Sequence, residues 1–348
     1  MQPSVAIIIL NYNGQGHLEN YLPSVLSATY AQKSIWVVDN NSTDGSCALI
    51  EQLFPTVNVL AVPNNKGFVG GYNYALENIH ADYIVLLNND VRVGPGFIEP
   101  AIAMLEADKT IAALQSKMRS INQPEYFDYA GAAGGYIDSL GYPFCRGRVL
   151  ETVEVDNEQY NNNSTELFWA TGGCLFVRHE HYRAINGMYT YLFMQNEDID
   201  LCWRLQLKGY KIGYCAQSVV FHLGGGSLSW EHPRKVFFTF RNNLIVLSRN
   251  MPLMRLLWVM PLRFCLDSMA ACRYILIGKA GHGFAIWKAT LAYLRWLFFV
   301  SRFTAKGENK WTGKRGIKQC NGYISGSVLW NYFVRHKTTF TAIVDQKQ

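Results

Sequence analysis

The sequence predicts an α/β fold with a mixed, mainly parallel sheet, followed by an amphipathic helical region. Short β-branched runs alternate with helical stretches between Val5 and Asp90, a pattern typical of buried parallel strands joined by crossover helices. Beyond about Lys235 this alternation stops, and apolar and aromatic residues dominate residues 251–303. A chain of 348 residues is long enough for one large domain with an appendage, or for two domains.

Four strands are expected in the first zone, with the sequences VAIIIL, SIWVVD, VNVLAV and YIVLLN. Helices are expected over GHLENYLPSVLSA, after Ser42 and near residues 72–78. The zone from about 91 to 230 is irregular: a Gly- and Tyr-rich stretch and an Asn-rich loop precede FWATGGCLFV. A helix carrying NEDIDLCWRLQLKGY and a last strand, SVVF, complete it.

Each of the first four strands ends in polar residues. They are Asn11-Tyr12-Asn13, Asp39-Asn40-Asn41, Asn64-Asn65-Lys66-Gly67 and Asn88-Asn89-Asp90. The carboxyl ends of parallel strands meet at one edge of the sheet, where such folds bind their ligands. The sequence therefore predicts a polar ligand cleft at this edge.

Asp39 has two interpretations. Its carboxylate could accept a hydrogen bond from the imide N–H of uracil or thymine, or it could cap the following helix. Asn41 or Ser42 can do the capping, which favours base recognition. Gly67 and its neighbours could let the backbone approach a ribose or diphosphate, whereas the G-x-G-x-x-G of dinucleotide folds is replaced by NYNG after the first strand.

Asp90 ends a strand that is apolar throughout. A buried carboxylate is costly unless it is paired or bound to a metal, so at the mouth of a nucleotide cleft it suits Mg²⁺ or Mn²⁺. The alternative is a turn in which Asn-Asn-Asp bonds its own backbone. Taken alone, the residues leave both interpretations open.

Three carboxylates, those of Glu197, Asp198 and Asp200, lie within four residues. Their mutual repulsion could keep one of them poised as a general base. Alternatively, they complement a helix N-terminus, with an Asp200–Arg204 pair one turn apart. His222 follows SVVF, and it could be structural or a further ligand beside a carboxylate-bound metal.

The composition indicates anionic partners and a covered surface. Apolar residues make up 49% and charged residues 17% of the chain, with a net charge of +6. Nucleotide diphosphates, lipid headgroups and nucleic acid all suit a basic excess. Nucleic acid is disfavoured because the cations lie among Trp and Leu at helical spacing and no binding motif accompanies them.

The third zone indicates a helix lying in a membrane interface. Cations interrupt the apolar run of residues 251–303 before it reaches the roughly 18–20 residues that a bilayer span needs. Lys288, Arg295 and Arg302 recur every seven residues on one helical face, among Trp and Leu. The alternative is an amphipathic helix packed on the domain or on a partner subunit. A basic segment follows at 306–318.

Seven segments, taken in order, resemble the family 2 glycosyltransferases with a GT-A fold over residues 4 to about 230. They are IIILNYNG, VVDNNSTDGS, NNKGFVGGYN, LLNND, TGGCLFVR, FMQNEDIDLCWRLQLKGYKI and VVFH. The resemblance implies an inverting transferase that uses a nucleotide-activated sugar, including rhamnosyltransferase-like members of the family. LLNND resembles the D-x-D element, with Asn88 in place of the first Asp and Asp90 matching the last.

The resemblance also assigns roles to residues. Asp198 matches the catalytic base, with Glu197 beside it, while Asp90 and His222 match the positions that hold Mg²⁺ or Mn²⁺. The candidates for nucleotide-sugar binding are Asn11, Asn13, Asp39, Asn41, Asn65, Gly67, Asn73, Asn88 and Asn89. Trp169, Gly172 and Gly173 are the candidates for contact with a sugar or acceptor, although Trp169 suits the core equally well.

These features predict a GT-A domain at 1–230, with a nucleotide-sugar half at 1–110 and an acceptor half at 111–230, and a membrane-associating region at 231–348. The expected partners are a UDP-sugar or dTDP-rhamnose and a saccharide or polyprenyl-linked acceptor. The N-terminus lacks the pattern of a signal peptide, so we expect the cytosolic face of the plasma membrane. Two alternatives are a nucleotidyltransferase, which would normally show a basic Gly-rich loop after the first strand, and a non-catalytic nucleotide-sugar scaffold.

Overall fold

An eight-stranded mixed sheet forms the centre of the computed structural model, which describes residues 2–224, 232–301 and 316–344. Its strands are β1 (Val5–Asn11), β2 (Lys33–Asp39), β3 (Asn58–Ala61), β4 (Tyr83–Asn88), β5 (Val91–Val93), β6 (Ile111–Ser120), β11 (Cys174–Arg178) and β12 (Lys211–His222). A small antiparallel sheet contains β7 (Gly135–Ile137), β8 (Pro143–Cys145), β9 (Arg148–Val149) and β10 (Thr152–Val153). The predicted α/β class is confirmed.

The strand order of the large sheet is β3-β2-β1-β4-β11-β6-β12-β5. Strands β3, β2, β1 and β4 run parallel to one another, and β12 runs parallel to β6. Strand β11 is antiparallel to both β4 and β6. Along β1, Ala6 and Ile8 enter one hydrophobic core and Ile7 and Ile9 the other. Burial on both faces explains why this strand is an unbroken apolar run.

Helices cover both faces of the sheet and form the C-terminal part of the chain. They are α1 (Gln15–Leu26), α2 (Ser46–Leu53), α3 (Gly67–Asn78), α4 (Glu99–Ala107), α5 (His179–Ala184), α6 (Glu197–Leu207), α7 (Pro233–Asn250), α8 (Leu253–Leu276), α9 (Ala280–Arg295), α10 (Val328–Phe333) and α11 (Phe340–Val344). A π-helical segment, Trp296–Val300, prolongs α9.

Two predicted boundaries differ from the structure. Helix α3 begins at Gly67, earlier than predicted, because its first turn contains glycines that weaken the helical signal. Strand β12 begins at Lys211, where the sequence predicted only SVVF, since a register shift between Cys215 and Val219 breaks the alternation.

The C-terminal helices pack on the sheet domain. Residues of α7, α8 and α9 belong to the same hydrophobic core as β1 and α6, and the chain returns at 316–344 to the small sheet, where Phe340 contacts Tyr136 and Phe144. At the predicted boundary near residue 230 the composition of the sequence changes, but the segments on the two sides of it share one hydrophobic core. Arg302 and most of the basic segment 306–318 lie outside the described residues.

Candidate active site

The polar strand ends meet at one edge of the sheet. Asn11 at the end of β1 pairs in register with Asp39 of β2, and Leu10 pairs with Asn88 of β4. Asn89 donates a hydrogen bond from Nδ2 to Oδ1 of Asn11 at 2.9 Å. A Cβ at Gly14 would lie 2.3 Å from the Asn89 side chain, so the start of α1 can approach this edge only with glycine there.

Asp39 closes a turn with one carboxylate oxygen and leaves the other without a hydrogen bond. Oδ2 accepts from the Ser42 N–H at 3.1 Å, whereas Oδ1 is buried and lacks a partner. Helix α2 begins only at Ser46, with Gly45 at its N-cap, so Asp39 does not cap it. A buried acceptor without a partner is costly, and a donor on a bound ligand would satisfy it.

Three of the predicted nucleotide-sugar residues shape the loops of this edge. Asn13 accepts the Thr43 N–H at 2.7 Å and Asn65 accepts the Gly67 N–H at 2.9 Å, while Asn41 is exposed with a positive φ of 66°. The sequence prediction missed Asn40, whose buried amide donates to both Asn65 and Gly67. Its position in the polar strand end DNN was the available signal.

Two predicted site residues are engaged elsewhere. Asn73 donates to Met188 O at 2.8 Å and accepts from Tyr182 and from the Met188 N–H, so its amide joins α3 to the 182–188 segment. Trp169 is 5% exposed and donates from Nε1 to Tyr136 O at 3.1 Å. In the structure the Asn73 amide therefore joins two packed segments, and Trp169 lies in the core, the role that its sequence also allowed; their contacts with a substrate stay predictions.

Asp90 and His222 lie together near the end of β4. The β12–β5 pairing sets His222 opposite Val91, which brings Nε2 of His222 within 3.2 Å of Oδ1 of Asp90. Nδ1 of His222 lies 2.8 Å from Oδ1 of Asp128, a residue that the sequence prediction missed because nothing in the stretch FDYAG distinguishes it. All three side chains are buried.

The two carboxylates control the charge of the histidine. Burial alone would lower the pKa of His222, but Asp128 and Asp90 raise it to about 10. Lys235 lies in the first turn of α7, where the charges of both carboxylates act to raise its pKa. Burial has the larger effect and lowers the pKa of Lys235 to about 8. Two acids, one histidine and one lysine therefore form one charged cluster.

The Asp90–His222 pair fits a divalent cation. Oδ1 of Asp90 and Nε2 of His222 lie 3.2 Å apart, and they are the oxygen and nitrogen donors that would hold such a cation. Asp128 holds the other ring nitrogen, as carboxylates do behind metal-bound histidines. Across the described part of the chain, no group of three or more His, Cys, Asp or Glu side chains has metal-binding geometry, so phosphate oxygens and water would complete the coordination.

Glu197 and Asp198 begin α6 on the other side of the cleft. Asp198 is partly exposed and accepts hydrogen bonds from the N–H groups of Gly172 at 3.2 Å and Ile199 at 2.8 Å. Burial raises the pKa of Asp198 to about 6. Burial, together with the Asp198 charge, raises the pKa of Glu197 to about 8, and Oε2 of Glu197 is buried without a hydrogen bond.

Asp200, the third acid, is a structural residue. It forms a buried ion pair with Arg204 at 2.8 Å and accepts from Asn250 at 2.8 Å. The Asp200–Arg204 pair that the sequence allowed is therefore present. Among the described residues, no cation forms an ion pair with Glu197 or Asp198.

A tight turn connects the two sides of the cleft. The Gly173 carbonyl accepts the Asn88 N–H at 3.1 Å, and the Gly172 N–H donates to Asp198. A Cβ at Gly173 would lie 2.8 Å from the terminal methyl of Met118, so a larger residue there would displace that side chain. The end of β4, which leads to Asp90, is therefore two hydrogen bonds away from Asp198.

Residues 6–162 match the model of the glycosyl transferase family 2. The N-acetylglucosaminyl-diphospho-decaprenol L-rhamnosyltransferase of Mycobacterium tuberculosis is 28% identical over 240 residues, which cover 64% of this chain and 76% of the relative.

Two solved glycosyltransferases share the fold. The mannosyltransferase PcManGT of Pyrobaculum calidifontis, in complex with GDP-Man and Mn²⁺, aligns with a TM-score of 0.54 at 15% identity over 84% of this chain and 88% of its own. GalNAc-T7 with UDP, GalNAc and Mn²⁺ aligns with a TM-score of 0.53 at 16% identity, over 64% of this chain but only 43% of its own.

The fold is therefore GT-A, and the protein is a glycosyltransferase. Its matched segment belongs to glycosyltransferase family 2, with rhamnosyltransferase-like relatives. The fold class, the family and the enzyme class predicted from the sequence are confirmed, and transfer of a sugar is the reaction that this class performs.

Proposed function

We propose that the protein transfers a sugar, with inversion, from a nucleoside-diphospho-sugar to a hydroxyl of a saccharide carried on a polyprenyl diphosphate. The observation that carries this proposal is the position of Asp198, a carboxylate of raised pKa that is bonded to the same turn as the strand leading to Asp90. A base and a diphosphate site on either side of one turn suit a single displacement at an anomeric carbon.

The unsatisfied Oδ1 of Asp39 supports a uracil or thymine base in the donor. Each of these bases has an imide N–H that can donate to a carboxylate, and Oδ1 is buried without a partner. A UDP-sugar or dTDP-L-rhamnose therefore fits this site. The similarity to a rhamnosyltransferase favours the second donor.

Asp90 and His222 are the proposed holders of Mg²⁺ or Mn²⁺, and both solved neighbours of this fold contain Mn²⁺. A bound divalent cation would neutralise charge on the leaving diphosphate. Asp128 keeps the His222 ring oriented. The Lys235 ammonium, near Asp90 and Asp128, adds a positive charge that can face the phosphates.

Asp198 acts as the base in the proposed mechanism. Its ionised oxygen takes the proton of the acceptor hydroxyl while that hydroxyl oxygen attacks the anomeric carbon, and the bond to the nucleoside diphosphate breaks on the opposite face. Glu197, with a pKa raised to about 8, stays protonated at neutral pH, so the charge of the pair resides on Asp198. One displacement inverts the configuration.

The C-terminal helices supply a surface for a lipid-linked acceptor. Large apolar side chains of α8, α9 and the π-helical segment are exposed, among them Leu257, Leu276, Leu291 and Phe299, and Lys288 and Arg295 of α9 are exposed as well. No helix in the described ranges is long and apolar enough to cross a membrane. The proposed arrangement is a helical hairpin lying in the headgroup layer, on the cytosolic face, where nucleotide sugars are made.

A donor screen followed by a transfer assay tests the proposal. UDP-glucose, UDP-N-acetylglucosamine and dTDP-L-rhamnose are each added with and without Mn²⁺, and the true donor should raise the Tm in the presence of Mn²⁺. Transfer to a synthetic N-acetylglucosaminyl-diphospho-polyprenol is then compared between the wild-type protein and Asp198→Asn. Equal transfer by both proteins would show that Asp198 is not the base.

A further inference from the structure

The segment 189–196, which leads directly to Glu197, has an unusual backbone. Phe193, Gln195 and Asn196 have positive φ values of 64°, 70° and 63°, although none is glycine. Met194 N–H donates to Leu192 O at 2.7 Å, which closes a γ-turn at Phe193 of the rare positive-φ type. Such conformations persist only where the surroundings hold them, and they concentrate at functional sites.

Asn242 of helix α7 supplies much of that support. Its side chain is fully buried, and Nδ2 lies 2.9 Å from the Leu192 carbonyl, 2.6 Å from that of Met194 and 2.8 Å from that of Gln195. The backbone carbonyls of three residues of this segment therefore point at one amide nitrogen. A hydrophobic side chain in its place would remove this donor from the Met194 and Gln195 carbonyls, whereas the Leu192 carbonyl would keep the Met194 N–H.

Arg241 completes the contact. Its Nη2 donates to Tyr191 O and Leu192 O, each at 3.1 Å, and its Nε donates to Oδ1 of Asn242 at 2.8 Å. The last bond fixes the amide so that its NH₂ group faces the loop. The guanidinium also lies 4.9 Å from the centre of the Phe238 ring.

Two further contacts join loop 189–196 to helix α7. Asn196 donates to Thr239 O at 3.0 Å, and the Phe193 ring stacks on Phe238 with centroids 5.7 Å apart. The Phe193 ring also lies against Gly67, where a Cβ would be 2.5 Å away. The loop is thus held between the start of α3 and α7.

We infer that Arg241 and Asn242 are positioning residues for the catalytic carboxylates. They hold loop 189–196 in the conformation that sets the start of α6, and hence the direction of Asp198, while touching neither substrate nor Asp198. The inference rests on the proposed role of Asp198 as the base. It gives helix α7, which lies outside the matched segment 6–162, a second role besides that of Lys235.

The chain offers a matched control in the next residue. Asn243 is also buried on α7, but its amide donates to Gly141 O at 3.1 Å and accepts from Arg263, away from loop 189–196. Asn242→Asp and Asn243→Asp make the same chemical change one residue apart. Only the first removes the donor to the loop and sets a carboxylate against its carbonyls.

The test measures hydrogen exchange and steady-state kinetics on the full chain. Exchange of the amides in 189–196 should be faster in Asn242→Asp than in the wild-type protein or Asn243→Asp. With dTDP-L-rhamnose, Mn²⁺ and the synthetic N-acetylglucosaminyl-diphospho-polyprenol, kcat of Asn242→Asp should fall roughly 10- to 100-fold, because small misplacements of a catalytic group cost about that much. The donor KM should stay within about threefold, and Asn243→Asp should keep the wild-type kcat.

Unchanged exchange, or faster exchange with an unchanged kcat, would overturn the inference. If Asn242→Asp does not fold, Arg241→Met takes its place, since it keeps an apolar side chain over the aromatic rings and loses both carbonyl contacts. Asp198→Asn is measured in parallel. Full activity of Asp198→Asn refutes the proposed base, whereas its inactivity beside a fully active Asn242→Asp refutes only the positioning role.

Discussion

Glu197 and Asp198 are adjacent carboxylates that have different protonation states. Asp198 accepts two backbone N–H bonds, which partly offset its burial, whereas Glu197 has a buried oxygen without a partner. Two carboxyl groups this close cannot both be ionised at low cost. The pair therefore carries one negative charge near neutral pH, and that charge lies on the residue that faces the cleft.

The pH dependence of turnover follows from this pair. The base must be ionised, and the pKa of Asp198 is raised to about 6, so kcat should fall about tenfold for each pH unit below 6. Asp198→Asn should lower kcat by about 10²- to 10⁴-fold at all pH values. A kcat profile that stays flat down to pH 5 would contradict this assignment.

Glu197→Gln should stabilise the fold at alkaline pH. The native pKa of Glu197 is raised to about 8, above its value in the unfolded chain, so the native state binds the proton more tightly. Its contribution to stability is complete at low pH and is lost as the pH rises through 8. The Tm of the variant should therefore exceed that of the wild-type protein by a margin that increases from pH 5 to pH 8, and an equal Tm throughout would argue against a buried acid.

Asp128→Asn should weaken binding of Mn²⁺. The carboxylate accepts from Nδ1 of His222, and loss of such a partner typically costs 10- to 100-fold in metal affinity. Isothermal titration with Mn²⁺ and UDP measures the effect. Asp267→Asn is the control, since Asp267 is a buried carboxylate that bonds Tyr142 and Arg263, and it should leave the affinity unchanged.

Helix α7 brings polar groups to the site at several levels along its length. Lys235 lies near Asp90 and Asp128, Asn242 contacts loop 189–196, and Asn250 donates to Asp200 of α6. The helix is amphipathic in an unusual sense, because much of its buried face is polar. Those polar groups explain why its sequence gave little signal of a core helix.

Lys235→Met should weaken binding of the donor. A hydrogen bond to a charged group contributes about 1.5–3 kcal/mol, which corresponds to roughly a 10- to 100-fold rise in the Kd of UDP with Mn²⁺. Arg234→Met is the matched control, because Arg234 is an exposed cation one residue away whose guanidinium lies over Phe238. Equal losses in the two variants would indicate a general charge effect instead of a phosphate contact.

Local patterns predicted the strands and the polar edge of the sheet well. Residues 83–88 form a strand buried on both faces, and a polar tip at the carboxyl edge is then expected. Contacts between distant segments left no such pattern: Asp128 reaches His222 across 94 residues, and Asn242 reaches the loop before Glu197 across nearly 50. Asn73 illustrates the same limit, because an amide beside glycines can serve a ligand or a neighbouring loop.

At the scale of the whole molecule, the exposed apolar side chains are concentrated in the C-terminal helices. In α8, Leu253, Met254 and Leu257 are each more than 60% exposed, and in α9 Leu291 is 67% exposed. Trp296, which the sequence placed among the interfacial residues, is buried and donates to Tyr189. Arg263 also turns inward, toward Asp267, so the surface is more apolar than the sequence pattern suggested.

Binding to vesicles should depend on these side chains. Leu257→Glu combined with Leu291→Glu should lower co-flotation with vesicles of phosphatidylglycerol and phosphatidylcholine at least tenfold, because it removes apolar contact and adds negative charge. Leu53→Glu is the control, since Leu53 of α2 is 50% exposed and lies outside the C-terminal helices. Equal flotation of all three proteins would exclude this surface as the membrane contact.

The buried bonds between α8 and the sheet domain have a consequence for substrate length. Arg263 and Asp267 of α8 bond Leu140 O and the Tyr142 hydroxyl, and Arg255 bonds Ser139 O. These bonds hold the proposed membrane-contacting hairpin in one position relative to the sheet domain, and hence relative to Asp198, the proposed base. We therefore expect the enzyme to select its acceptor by length. It should accept glycolipids whose reactive hydroxyl lies at one distance from the lipid, and it should react more slowly with glycans one sugar shorter or longer.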